Sequence, residues 1–333
     1  MAIKNIVVCA EIENVSWRWI ASHFTNSYYW SFSRAKNSNN ILLTMLFRFL
    51  ASLKAVAKSG KADVIVSHGP YMAFYCSFLI WLFRIKVPHV VYSFNFAVLP
   101  TGMALKRMAF FFQKIDCLVV SSTMERSLYA EYFNIPIENI DFIRWGVAEP
   151  KLDVKPRVID KPYVSTVGGN ARDYKTFMAA MAELPEVQAV AVMRPHNLNG
   201  LDVPANVKVL TNIPLDEALS IIKHSVCMVL PLVGSEVPCG HVTIVVAMYL
   251  GVPCLVTDSS GVSDYVRHEE TGLLSEVASV VSMKESIKRL MMNNELSSKL
   301  SEGAGMFVRE SCGEKNYVSH LAEIIKRVRI DEK

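Results

Sequence analysis

The chain has 333 residues, 51% of them hydrophobic and 20% charged, with a formal net charge of +4. That length supports two domains, each with a sizeable core, and the absence of low-complexity runs and of a solenoid-period repeat excludes disordered and repeat architectures. A mildly basic balance suits an anionic small ligand or an anionic membrane surface as well as it suits nucleic acid and decides little by itself; from the motifs below, no nucleic-acid partner is expected. The seven cysteines are odd in number, scattered through apolar runs and free of any CxxC pair. They point to buried thiols in a reducing compartment. Cys239, His241 and Cys254 lie near one another but match no zinc spacing, so no metal is expected.

In chain order, Ile6–Cys9 is the first strand, within an apolar run too short for the core of a signal peptide. Val15–Arg34 is an aromatic stretch set among Ser and Asn, with Trp17, Trp19, Tyr28, Tyr29 and Trp30. One reading is a loop and helix packed on the sheet; the other is an acceptor or membrane-interface surface. Asn40–Gly60 is a helix, with Leu42, Leu43, Leu46, Leu50, Leu53 and Val56 at helical spacing and Arg48, Lys54 and Lys58 off that stripe. Strands at Asp63–Ser67, His89–Ser93, Cys117–Ser121 and Asp141–Ile143 alternate with helices at Tyr71–Arg84, Met103–Lys114 and Thr123–Phe133. The most apolar window, Tyr71–Ile85, is bounded by Arg84 and Lys86 and falls short of the ~20 residues that a membrane span needs. A cytoplasmic protein without a transmembrane segment is expected.

Glu149–Lys161 is charged, contains two prolines and lacks an apolar period, so the domain boundary is placed there: 1–150, then 151–310, with 311–333 as a final helix. A second alternation follows. Tyr163–Val167, Val187–Val192, Val207–Leu210, Val226–Leu230 and Pro253–Thr257 read as strands. Thr176–Glu183, Leu215–Lys223 and His241–Leu250 read as helices, and the tail from Val280 is helical to Ile330. Strand–helix alternation in both halves predicts an α/β fold with parallel sheets that carry helices on both faces.

Two strand-end loops in the second half share a chemistry. Gly168-Gly169 permits close approach of backbone to a ligand, and Arg172 and Lys175 follow at a helix start, where cations oppose the helix dipole unless an anion binds. Gly240, His241, Val242 and Thr243 begin the next helix and offer backbone N–H groups to a phosphate. Glu236, in the loop before it, is a candidate for a sugar hydroxyl; its plain alternative is an exposed loop acid. Neither loop is a Walker motif or a dinucleotide fingerprint.

Gly240–Asp258, with Ala247-Met248, Gly251, Pro253 and Asp258, followed by Gly261–Leu274 (GVSDYVRHEETGLL), resembles the donor-binding region of GT-B glycosyltransferases, above all the retaining family 4. Arg172-Asp173-Tyr174, DVIVSHGP, CLVVSSTMERSL and Gly146-Val147 extend the resemblance over nearly the whole chain. It implies the GT-B fold, two Rossmann-like domains facing across a cleft, with the last helix crossing back to the first domain.

It further implies a nucleotide-sugar donor on the second domain and retention of anomeric configuration. Gly169, Arg172 and Lys175 then match the diphosphate-binding loop, and Gly240, His241, Val242 and Thr243 the helix end beneath the phosphates. Asn95 stands where the family often has a His near the reacting sugar, and His68 is a competing candidate. The family's usual pair of Glu residues is altered. Val246 precedes Ala247-Met248 where the second Glu is usual, and Pro238 holds the first position, with Glu236 just ahead of it. The activity expected is transfer of a sugar to a glycan or lipid-linked glycan acceptor in cell-surface polysaccharide or glycolipid synthesis, with no metal or other cofactor. The aromatic stretch and the basic helices at Arg48–Lys58 and Lys106–Lys114 suggest docking on the inner face of an anionic membrane. A GT-B-fold sugar-nucleotide epimerase and a non-catalytic GT-B partner protein are the alternatives.

Overall fold

The computed structural model describes residues 4–10, 24, 28–36, 38–96, 98–151 and 155–330. The chain divides into two compact units, one formed by Met1–Ile143 with Lys315–Lys333 and the other by Arg144–Glu314.

The first unit is built on β1 (Lys4–Ala10), β2 (Tyr28–Arg34), β3 (Val64–His68), β4 (His89–Tyr92), β5 (Cys117–Val120) and β6 (Ile140–Phe142). All pair in parallel in the order β2-β1-β3-β4-β5-β6. The helices are α1 (Ile41–Ser59), α2 (Pro70–Leu82), α3 (Gly102–Phe112), α4 (Thr123–Phe133) and, from the far end of the chain, α10 (Glu314–Ile330). Successive side chains of β1 leave opposite faces of the sheet. Val7 and Cys9 pack with Ala55 and Val56 of α1 and with Met72 and Cys76 of α2. Ile6 and Val8 pack with Leu321, Ile324 and Ile325 of α10. Central strands of a parallel sheet are covered on both faces, which is why they read as unbroken apolar runs. Arg327 pins α10 to the sheet edge at 2.8 Å from Asp141, and His320 Nδ1 lies 3.0 Å from the Tyr92 hydroxyl.

The second unit contains β7 (Tyr163–Val167), β8 (Gln188–Met193), β9 (Val207–Thr211), β10 (Cys227–Leu230), β11 (Cys254–Thr257) and β12 (Leu273–Ser275). They are parallel in the order β12-β11-β10-β7-β8-β9. Here α5 (Tyr174–Ala182) and α8 (Val280–Met292) cover one face through Phe177, Met181, Met283 and Ile287. On the other face α7 (His241–Tyr249) and α9 (Asn294–Ser311) meet the sheet through Ile244, Val245, Ala304 and Val308. α6 (Leu215–His224) adds a smaller cluster around Ile221 and Tyr163.

Four features differ from the sequence reading. Most of the described part of the aromatic stretch is neither loop nor helix: Tyr28–Arg34 is the edge strand of the first sheet, paired along its length with β1. Tyr28, Trp30 and Phe32 pack beside the core, while Trp17 and Trp19 lie outside the described residues. In α1 the buried residues are Ala51, Ser52, Ala55, Val56 and Ser59, and the leucines at its start are exposed, Leu42 to 72%. The division between units falls ahead of the charged segment. Arg144 Nε donates to the Asp264 carbonyl at 2.8 Å and Trp145 N–H to the Tyr265 hydroxyl at 2.8 Å, which ties this stretch to the second unit. β12 was not separated from the motif that contains it.

Candidate functional site

Ligands of open parallel sheets bind beyond the carboxyl ends of the strands, where the winding direction reverses. In the second sheet that reversal lies between β7 and β10, and in the first between β1 and β3.

In the second unit, the loops leaving β7 and β10 are stitched into one platform. Asp173 N–H donates to Pro231 O at 3.0 Å, Val233 N–H to Ala171 O at 3.3 Å, and Arg172 forms an isolated antiparallel bridge with Leu232. Asp173 then caps α5, accepting from Thr176 N–H at 3.0 Å and from the Thr176 hydroxyl at 2.6 Å. With the backbone fixed on both sides, the Arg172 side chain folds back over Gly168. A Cβ on Gly168, whose φ is +129°, would stand 2.6 Å from Arg172 Nη2. Arg172 Nη1 donates to Asn170 O at 2.7 Å and lies 3.7 Å from Cys239 Sγ. Only 9% of Arg172 is exposed, its Nε is buried without a partner, and no carboxylate pairs with it among the described residues. Burying an unpaired charge is costly, so an unpaired buried guanidinium is poised for an anion.

The second half of the platform is the start of α7. Gly240 is its N-cap at φ +93°, with no side-chain cap, so among the described residues no side chain accepts from the leading N–H groups of His241, Val242 and Thr243. Glycine is required twice over at this position. Its backbone is left-handed, and a Cβ would stand 2.5 Å from Leu230 Cδ2 beneath it. The His241 ring serves the fold: Nε2–H donates to Gly261 O at 2.7 Å, and the ring stacks on Tyr265 at 4.6 Å between centroids. Burial holds this imidazole below its usual range, in the neutral form. What His241 offers a ligand is therefore its backbone. Ser259 fastens the preceding loop by accepting from Val237 N–H at 2.9 Å, and Ser260 N–H donates to Ser235 O at 2.8 Å. Glu236 is exposed on that loop, and Val242 and Thr243 sit on the first turn of α7, Val242 exposed and Thr243 half-buried.

Gly169 and Lys175 take different positions around the same platform. A Cβ on Gly169 would stand 2.5 Å from Arg194 Cγ, and Asn197 Nδ2 donates to Gly169 O at 3.2 Å. Arg194, at the end of β8, is a second arginine over the glycine pair and was missed from the sequence. Its signal was a cation directly after a buried strand, in Met193-Arg194-Pro195. Lys175 is exposed and lines a cavity of about 410 Å³ with Met178, Ala182, Leu201 and Pro204 on the outer side of α5.

In the first unit, His68 ends β3 beside the reversal point and Asn95 follows β4, the next strand along. Desolvation pushes the His68 imidazole down to about 4, so it is neutral near pH 7. Asn95 is exposed, and its amide Nδ2 donates to Glu125 Oε1 at 2.5 Å. Glu125 is wholly buried and also accepts from Ser122 Oγ at 2.9 Å and Ser121 N–H at 3.3 Å. Burial raises its pKa and these hydrogen bonds oppose the rise. Glu125 was likewise missed, although Ser122-x-x-Glu125 is the spacing of a helix capping box and was legible as such. Among the described residues no cluster of three His, Cys, Asp or Glu side chains is arranged to hold a metal.

Comparison with known proteins assigns the fold to a family. A model of glycosyl transferases group 1 matches residues 197–305, and a model of glycosyl transferase 4-like domains matches residues 29–146. The chain belongs to the GT-B glycosyltransferases, in their family 4-like branch. This glycosyltransferase superposes on a sucrose-phosphate synthase from Thermosynechococcus elongatus with a TM-score of 0.75, at 16% identity, over 98% of its own chain and 99% of the other. Anabaena Alr3699/HepE in complex with UDP-glucose gives 0.75 at 13% identity, over 97% of this chain and 99% of that one. A curated relative, N-acetyl-alpha-D-glucosaminyl L-malate synthase of Bacillus anthracis, is 31% identical over 87 residues, which are 26% of this chain and 23% of that protein.

Proposed function

We propose that this glycosyltransferase takes a sugar from a nucleotide-sugar donor bound on the second unit and passes it to a glycan or lipid-linked glycan. The observation that carries the reading is Arg172, a buried guanidinium without a counter-ion, in a platform that also holds the uncapped start of α7. As the bond between sugar and diphosphate breaks, negative charge grows on the leaving phosphate. Preorganised donors in a site shielded from water stabilise that charge with no further reorganisation. Arg172 Nε and the N–H groups of His241 to Thr243 are such donors, with Arg194 and, in the first turn of α5, Lys175 as exposed cations nearby. His68 and Asn95 are the first unit's candidates for the reacting sugar. The solved relative with UDP-glucose bound supports a uridine donor as the first to try. Thermal-shift titration with UDP-, GDP- and ADP-sugars tests the reading. A rise in melting temperature with one base series, lost in Arg172→Ala, is expected; no shift with any of them overturns it.

Docking on an anionic membrane surface is the second part of the proposal. No helix among the described residues is long and apolar enough to cross a membrane. The first turns of α1, however, present Ile41, Leu42, Met45, Leu46 and Leu50 to solvent on a helix that also carries Arg48, Lys54 and Lys58. An apolar face with nearby cations is the pattern of an interfacial helix. Flotation with vesicles containing phosphatidylglycerol tests it: Leu42→Ser with Leu46→Ser should abolish flotation, and unchanged flotation rules the helix out.

A further inference from the structure

The first unit holds a cavity of its own, at the opposite end of its strands from His68 and Asn95. Those two residues stand at or beyond the carboxyl ends of β3 and β4, whereas this cavity, of about 580 Å³, opens at the amino end of β4. Its lining contains Arg84, Lys86 and Lys114, with Trp81 and Val87, and no carboxylate is among its lining residues. None of the three cations forms an ion pair among the described residues. His89 also lines it. This residue is 2% exposed, its Nε2 lies 2.8 Å from Ser67 Oγ, and its Nδ1 is buried without a partner. Where Ser67 donates to Nε2, the neutral ring is left with an unused Nδ1–H donor. Two independent features, a convergence of cations and an orphaned buried ring nitrogen, therefore ask for the same thing, an anionic oxygen.

The backbone at Arg84 fixes where its side chain starts. α2 ends with Arg84 N–H donating to Trp81 O at 3.2 Å and Ile85 N–H to Ile80 O at 3.1 Å, with Arg84 at φ +53°. That left-handed position after a helix favours glycine, and an arginine there is held against its preference. The rim says what accompanies the anion. Trp81, Leu82, Phe83 and Phe110 are each about half exposed, and Lys114 Nζ sits 4.3 Å over the Phe110 ring. Aromatic and aliphatic side chains left in water around a cationic cavity suit a phosphate that carries hydrocarbon, not a bare ion.

We propose that this cavity binds the phosphate headgroup of an anionic lipid, with Arg84, Lys86, Lys114 and His89 around the phosphate and Trp81, Leu82 and Phe110 beside the chains. The ligand class rests on the membrane-docking reading, but the site does not involve α1, and a lipid below its micellar concentration separates the two. Isothermal titration of the full chain with dihexanoyl phosphatidylglycerol should show binding, and dihexanoyl phosphatidylcholine should bind at least ten-fold more weakly. Removing the three cations together (Arg84→Gly, Lys86→Gln and Lys114→Gln) should weaken it about a hundred-fold, near five-fold per charge. Arg84→Gly suits the left-handed backbone, so loss of binding in that single variant cannot be put down to misfolding. The docking variant Leu42→Ser/Leu46→Ser should bind the short-chain lipid as the parent does. Equal binding of the two lipids, no binding by the parent chain, or full binding by the triple variant overturns the site. Inorganic phosphate that competes at the same concentration as the lipid shows a site for soluble phosphate and overturns the lipid assignment.

Discussion

Removing Arg172 is the sharpest test of the donor platform. In Arg172→Ala the guanidinium is lost from a position that is 9% exposed, so solvent screening is weak. At about 4 Å and an effective dielectric near 20, one charge pair contributes about 4 kcal/mol. Because Arg172 is already buried without a counter-ion, binding a phosphate does not have to desolvate it again, and most of that energy is available to the transition state. A loss of 3–4 kcal/mol corresponds to a fall in kcat/KM of about 10²–10³-fold. The fold should change little. The variant gives up the hydrogen bond to Asn170 O, worth about 1.5–3 kcal/mol, and the weaker contact with Cys239 Sγ, and the relief of an unpaired buried charge acts in the opposite direction. A shift in Tm of no more than about 4 °C follows for a unit of this size. Steady-state kinetics on the nucleotide sugar found by thermal shift, with circular dichroism melts of both proteins, measure the two effects together. Arg172→Lys should fall between, since a point charge replaces a fork. Turnover within three-fold of the parent, in a variant that melts normally, would refute the phosphate role of Arg172.

Three further outcomes are expected. Gly240→Ala places a methyl group 2.5 Å from Leu230 Cδ2 on a left-handed backbone, and should cost about 2–4 kcal/mol in urea unfolding while weakening nucleotide binding; a variant as stable as the parent would mean that the α7 start is mobile. Glu125→Gln keeps the shape but replaces the acceptor that holds the Asn95 amide at 2.5 Å, so kcat should drop about ten-fold with donor KM unchanged; an unaltered kcat would remove Asn95 from the reaction. His89 bears on pH. Burial depresses its pKa to about 3, so its contribution to stability is complete above the unfolded value near 6.5 and declines as pH falls toward 3. The loss should be about 1.4 kcal/mol per pH unit, and His89→Gln should reduce the slope of urea-unfolding stability between pH 6.5 and 5 by about that much, leaving the share of His68 and His241; parallel curves for the two proteins would contradict it.

Much of the scaffold was legible because its signals are local. Val64-Ile65-Val66, Cys117–Val120 and Cys227–Leu230 are buried on both faces, and unbroken apolar runs report that directly. Asn40 caps α1 and Ser122 caps α4 with side chains that accept from nearby N–H groups. The Gly168-Gly169 and Gly240 loops were visible as glycines at strand ends. What escaped depended on distant residues. The alternation of Tyr28, Trp30 and Phe32 is a strand signal, but the Ser and Asn around it suggested a loop and helix, and its place shows only in the pairing with β1. The apolar stripe of α1 has helical spacing, yet spacing alone does not say which residues a neighbour covers. The burial of Arg172 follows from its bridge to Leu232, and Arg194 meets Gly169 only because β8 pairs with β7; both depend on strand order.

The packing of α10 on the first sheet has a consequence for biosynthesis. The face that carries Ile6, Val8, Val66 and Tyr92 is closed by Leu321, Ile324 and Ile325, which are made only after all of Arg144–Glu314. At typical elongation rates of about 5–20 residues per second, the ribosome spends roughly 10–35 s on that intervening segment. For that time the nascent first unit has one sheet face uncovered while the second unit, which is continuous in sequence, is free to finish folding. The chain therefore completes its later-made half first, and a nascent chain stalled before Lys315 should present a chaperone with a ready apolar sheet.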